Sequence, residues 1–197
     1  MKRLAFVALC LLVAFGTSPV LAANDLPRTG SRVPAIILPD VAGHPRRLTE
    51  FKNRPLVLFF FCGCPPCHAC ARLWADVQQA GEISRGRSVT GPQTVAVFLG
   101  DAEAARRFAS ETGLDPAQTL LLTDPSDRTG QRFGVIQCPR VFVLDAGGRL
   151  TYTNSENNPG TDSPRLSAAA LVSRTLTAWR HLPTAPALKV SAARMVP

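Results

Sequence analysis

The sequence predicts an α/β fold, a central mixed sheet with helices on both faces and an N-terminal hairpin at its edge. Three observations carry that expectation. Leu56–Phe61 (LVLFFF) is apolar at every position, as a strand covered on both faces must be. Thr94–Leu99 (TVAVFL) is a second run of this kind, and a helical stretch follows each of the two. Asp145-Ala146-Gly147-Gly148 then makes a tight turn between two short runs that read as paired strands.

Taken in order, residues 23–32 are a polar lead-in. Residues 33–45 read as an edge hairpin, because Pro34, Pro39 and Pro45 suit an edge and would break a central ladder. Leu56–Phe61 is the central strand. Ala69–Ala80 reads as a helix with Cys67, Cys70, Trp74 and Val77 on one buried face and Leu73 beside them. After the Gly91-Pro92 turn and the second strand, Asp101 is a suitable N-cap for a helix over Ala102–Thr112, which Gly113 stops. Thr119–Thr123 is a short extended segment, and Asp127–Phe133 a brief helix ending at Gly134. Arg140–Leu144 and Arg149–Thr153 are the last strands, and Arg165–Arg180 is an amphipathic helix. One domain spans 33–180, and the tail 181–197 has early prolines and no period, so it should be poorly ordered.

The N-terminus reads as an address. Met1-Lys2-Arg3 is a positive leader, Leu4–Gly16 is unbroken apolar sequence, and residues 17–22 end in small residues, which together predict a signal peptide over 1–22. The apolar stretch is shorter than the roughly 20 residues that span a bilayer, and an uncleaved membrane anchor is the alternative. Export to the periplasm or another extracytoplasmic space is expected, where structural disulfides also persist. The net charge of +8 is spread over scattered arginines with no aromatic interleaving, so no nucleic-acid partner is expected.

Five cysteines remain beyond the leader, four of them within Cys62-Gly63-Cys64-Pro65-Pro66-Cys67-His68-Ala69-Cys70. A staple this short removes little chain entropy from the unfolded state, and a chain of this size can bury a core without one. Two cysteines two residues apart, where a buried strand meets a helix, favour redox chemistry instead. The first sits where unpaired backbone N–H groups favour a thiolate, and the second lies one turn inside.

This pattern resembles a known family when joined to two later strings, Phe133-Gly134-Val135-Ile136-Gln137-Cys138-Pro139 and Val141-Phe142-Val143-Leu144-Asp145-Ala146-Gly147-Gly148. Together they resemble the TlpA-like thiol–disulfide oxidoreductases of the thioredoxin-fold redoxin (AhpC/TSA-like) superfamily, over roughly residues 33–180. The resemblance implies a thioredoxin-like fold in which Cys64 attacks, Cys67 resolves and Pro139 is a cis-proline facing the pair. It implies protein thiols or disulfides as partners, a membrane redox partner that recycles the pair, and no cofactor beyond the Cys64–Cys67 disulfide.

The sequence departs from that family in three places. Gly63 stands where an aromatic residue usually precedes the first cysteine, Cys70 where a glutamate often assists proton transfer, and Leu58 where thioredoxin buries an acid. Water or His68 is left to move the proton. Cys70 reads chiefly as a small buried hydrophobe, Cys62 as packing, a regulatory thiol or a ligand, and His68 as an exposed residue or a partner of the thiolate. Cys138, before Pro139, is expected beside Cys64, as a modulating thiol or as core filler.

Two other functions compete. Cys62, Cys64, Cys67, Cys70 and Cys138 are enough thiols for a soft metal site or a metallochaperone, although copper-delivering redoxins use C-x-x-x-C with a distant histidine. A peroxiredoxin-like peroxidase is the other. Its P-x-x-x-[ST]-x-x-C signature is missing, since Val57 and Phe61 hold those places before Cys64, and Phe60 and Cys64 before Cys67.

Overall fold

The computed structural model describes residues 26–51, 53–81, 94–154 and 166–182. A five-stranded sheet runs in the order β5-β4-β3-β6-β7, from Thr119–Thr123 (β5), Thr94–Phe98 (β4), Leu56–Phe61 (β3), Arg140–Leu144 (β6) and Leu150–Thr153 (β7). The β3–β4 and β4–β5 pairs are parallel, and β6 and β7 join antiparallel. This is the mixed sheet expected from the sequence. A separate two-stranded sheet, β1 (Ile37–Pro39) with β2 (Pro45–Arg47), is the N-terminal hairpin.

Side chains of β3 alternate strictly between two cores, because strand residues point to opposite faces in turn. Val57, Phe59 and Phe61 enter one cluster, and Leu56, Leu58 and Phe60 enter the other. Helices α1 (Pro65–Gln79), α2 (Ala102–Thr112) and α4 (Ala168–Arg180) bury Trp74, Phe108 and Trp179 on the first face. For α1 and α2, one shared face is what right-handed β3-α1-β4 and β4-α2-β5 crossovers running the same way across the sheet produce.

The second face is covered differently. Helix α3 (Arg128–Arg132) hands Phe133 to it, and a 3₁₀ turn over Leu48–Phe51 adds Phe51. The N-terminal segment pairs with the start of edge strand β7 through the Arg32–Arg149 bridge and the Gly30 and Ser31 bonds to Leu150, and with edge strand β5 through Asp40–Leu122, so it crosses the face from one edge to the other. Ile36 and Leu38 are the side chains it buries on the way.

Several boundaries differ from the sequence reading. Helix α1 begins at Pro65 rather than Ala69, since proline at the first helical position lacks only an N–H that has no partner there anyway. Helix α4 begins at Ala168, where the Ser167 hydroxyl accepts from the Ala170 N–H. Leu73 is solvent-exposed and Val77 only half-buried, while Gln78 is buried in their stead. Gln78 donates to the hydroxyls of Thr119 (3.0 Å) and Thr94 (3.3 Å), and the Trp74 indole donates to Thr94 (3.2 Å). A buried glutamine so paired costs little, and it pins the rear of α1 to the starts of β4 and β5.

The predicted leader lies outside the described residues, as does most of the tail; Leu182, two residues past α4, is buried against the first core. Among the described residues, no helix is long and apolar enough to cross a membrane.

Candidate active site

The central strand β3 ends at Phe61, and the chain turns through Cys62-Gly63-Cys64 into α1. Gly63 has φ of +78°, a left-handed conformation, and a Cβ there would stand 3.3 Å from the Phe98 ring. Glycine is therefore required by the turn, which accounts for the missing aromatic residue.

Cys64 is the N-cap of α1, with extended backbone (φ −71°, ψ 162°) and no hydrogen bond from its side chain to the helix. Its carbonyl accepts the first helical bond, from His68 N–H at 3.1 Å. The half-exposed sulfur is thus at the positive end of the helix.

Cys67, one turn further, is fully buried. Its sulfur is 3.4 Å from that of Cys64 and 3.8 Å from that of Cys62, and the Cys62 backbone N–H points at it from 3.4 Å. A hydrogen bond with Cys138 and then burial hold the Cys67 thiol far above the ordinary thiol range. Cys62 is an exposed residue whose sulfur faces inward, and desolvation is the main cause that pushes its thiol up to about 11. Cys70 lies in the apolar core with Trp74, and burial pushes it up to about 12. Its surroundings are those of a packing residue.

Cys138 enters from the loop before β6, and the Cys138–Pro139 peptide bond is cis, as expected. Its sulfur lies at the cysteine pair, hydrogen-bonded with Cys67. It clusters with Cys62 and Cys67, the three sulfurs lying within 4.8 Å of one another, and Cys64 is outside that triad. Two residues on, the half-buried Arg140 guanidinium donates to the Gly134 carbonyl at 3.0 Å and interacts electrostatically with Cys138.

His68 faces α2. Its Nδ1 is 3.7 Å from Glu111 Oε2, and its ring meets Phe108 edge-on at 4.8 Å between centroids. Glu111 and Arg140 are the site's neighbours that sequence reasoning missed. No spacing signals Glu111, which reaches His68 from another helix; Arg140, beside the proline motif, was readable from its position.

The chain is 25% identical over 123 residues to thiol-disulfide oxidoreductase ResA of Geobacillus thermodenitrificans, covering 61% of this chain and 66% of that protein. It is 31% identical over 130 residues to the thiol:disulfide interchange protein DsbE homolog of Paracoccus denitrificans, covering 64% and 65%. The chain thus spans just under two thirds of the length of these relatives. Among solved structures, peroxidoxin BcpB of Mycobacterium tuberculosis superposes with a TM-score of 0.61 at 23% identity, over 80% of this chain and 99% of that one. That likeness establishes the fold alone. Residues 28–170 match the Redoxin family, and with well over half of its length inside that match the chain belongs to the Redoxin family.

Proposed function

We propose that this protein is an exported thiol–disulfide oxidoreductase that exchanges disulfides with protein thiols through Cys64 and Cys67. The observation that carries the reading is the asymmetry of the pair. Cys64 is half-exposed at a helix N-terminus, whereas Cys67 is buried 3.4 Å away and reluctant to ionise. The names of the ResA and DsbE relatives support the same reaction class. The leader-like N-terminus supports export.

In the reducing direction the Cys64 thiolate attacks one sulfur of a substrate disulfide, forming a mixed disulfide and expelling the first substrate thiolate. Cys67 then attacks the Cys64 sulfur. The Cys64–Cys67 disulfide forms, the second substrate sulfur leaves, and the Cys67 proton passes to it. The substrate gains two electrons, and a membrane redox partner returns them to the pair. A buried, protonated Cys67 makes the second step wait until the first has brought the leaving sulfur close. Peroxide reduction finds no support in the residues before Cys64, where the hydroxyl position is Phe61.

A turnover assay tests the proposal. The reduced, metal-free protein is mixed with a disulfide-bonded protein such as insulin, and released substrate thiols are counted against thiols lost from the enzyme. Equal numbers, abolished by Cys64→Ser, are expected. Consumption of hydrogen peroxide without disulfide exchange would overturn the reading.

A further inference from the structure

Three sulfurs converge here from separate parts of the chain, and the exchange reaction accounts for only one of them. Cys62 follows β3, Cys67 lies in the first turn of α1, and Cys138 precedes β6; their sulfurs lie within 4.8 Å of one another. We propose that Cys62, Cys67 and Cys138 bind one soft, thiophilic metal ion of the Zn²⁺ or Cu⁺ class, and do so only while Cys64 and Cys67 are reduced.

The spacing fits such an ion. Sulfurs about 2.3 Å from a tetrahedral zinc stand about 3.8 Å apart. Cys62 and Cys67 already have that separation, at 3.8 Å. With all three sulfurs inside 4.8 Å, no pair has to close by more than about 1 Å. The backbone N–H of Cys62, 3.4 Å from the Cys67 sulfur, is the kind of donor that steadies a metal-bound thiolate. Three thiolates with no carboxylate or imidazole in the triad favour soft ions over hard ones.

Cys67 belongs to both arrangements, so redox state controls occupancy. When a substrate disulfide accepts two electrons and becomes two thiols, Cys64 and Cys67 join. The protons come from Cys64 and, for the metal-bound Cys67, from solvent. The sulfur lone pair that held the ion is then on a disulfide, and the ion leaves. This switching rests on the exchange reading, whereas binding by the reduced triad stands without it.

The test uses the full chain, reduced and purified without oxygen, titrated with Zn²⁺ alone and with Cu⁺ alone against chromophoric chelators. X-ray absorption counts the sulfurs around each bound ion. One ion per chain with three sulfur neighbours is expected, with a lighter fourth ligand for Zn²⁺ and none for Cu⁺. Cys62→Ser and Cys138→Ser should each weaken binding at least about tenfold. Cys64→Ser should bind within a few-fold of the wild type while losing exchange, and the oxidised wild type should release the ion. Failure of both ions to bind, a two-sulfur site, or binding lost in Cys64→Ser but kept in Cys138→Ser would overturn the site. Retention after oxidation would overturn the switching. The sulfur count on the wild type is independent of how any variant folds, and failed turnover of metal-free protein would remove the exchange reading without touching the site.

Discussion

The two ends of α1 are built on opposite principles. At its rear, Trp74 and Gln78 are buried and hydrogen-bonded to threonines of β4 and β5, and Trp74 meets the Phe59 ring edge-on at 5.0 Å. At its front, the sulfurs of Cys64, Cys67 and Cys138 meet one backbone N–H and other sulfurs among the described residues. Satisfied polar groups at one end fix the helix, and weakly paired thiols at the other remain available for chemistry. A reactive cluster can be left poorly paired because its scaffold is not.

That contrast predicts opposite failures. Cys64→Ser should reduce exchange to the background of the buffer while leaving the folded state intact, as thiol counting and thermal unfolding would show together. Trp74→Ala should do the reverse, costing about 3–5 kcal/mol of stability as a large buried ring is removed. Denaturant titration reads it, and a loss below about 1 kcal/mol would mean that the rear of α1 is not the anchor. Gln78→Leu should cost less, about 1–3 kcal/mol, by leaving the Thr94 and Thr119 hydroxyls without this partner.

The front end should instead respond to pH. Cys62 and Cys70 have folded-state pKa values near 11 and 12, above the roughly 8.5 of an unfolded thiol. Below that unfolded value their contribution is complete. Above it the unfolded chain loses protons that the folded chain keeps, so stability of the reduced protein should fall as pH rises through about 8.5 towards 11. Alkylation of Cys62 should accelerate about tenfold per pH unit across the same window, as its thiolate accumulates. A rate that is flat in pH would contradict the burial of this sulfur. The smallest effect belongs to Glu111→Gln. Its 3.7 Å contact with the His68 ring is partly exposed, so stability should change by less than about 1 kcal/mol.

Much of this was legible in the sequence, and the reasons are local. LVLFFF can only be a strand buried on both faces, and Asp101 with Gly113 brackets α2 at the residues where it starts and stops. The cysteine pair and the proline motif located the site. What could not be read depends on distant elements. Gln78 looks like a solvent residue until Thr94 and Thr119 arrive from neighbouring strands. Gly63 looks like a departure from pattern until its positive φ and the Phe98 ring, 3.3 Å from where a Cβ would stand, are seen together. Cys138 is brought to Cys67 and Cys62 by the way β6 enters beside β3.

The central claim is that Cys64 attacks and Cys67 resolves. It is tested most directly by trapping the intermediate. Reduced Cys67→Ser protein is mixed with a disulfide-bonded substrate, quenched with acid and mapped by mass spectrometry. The substrate should be held by a mixed disulfide on Cys64 alone, and Cys64→Ser should trap none. Substrate joined to Cys62 or Cys138 instead, or no adduct with either variant, would contradict the account.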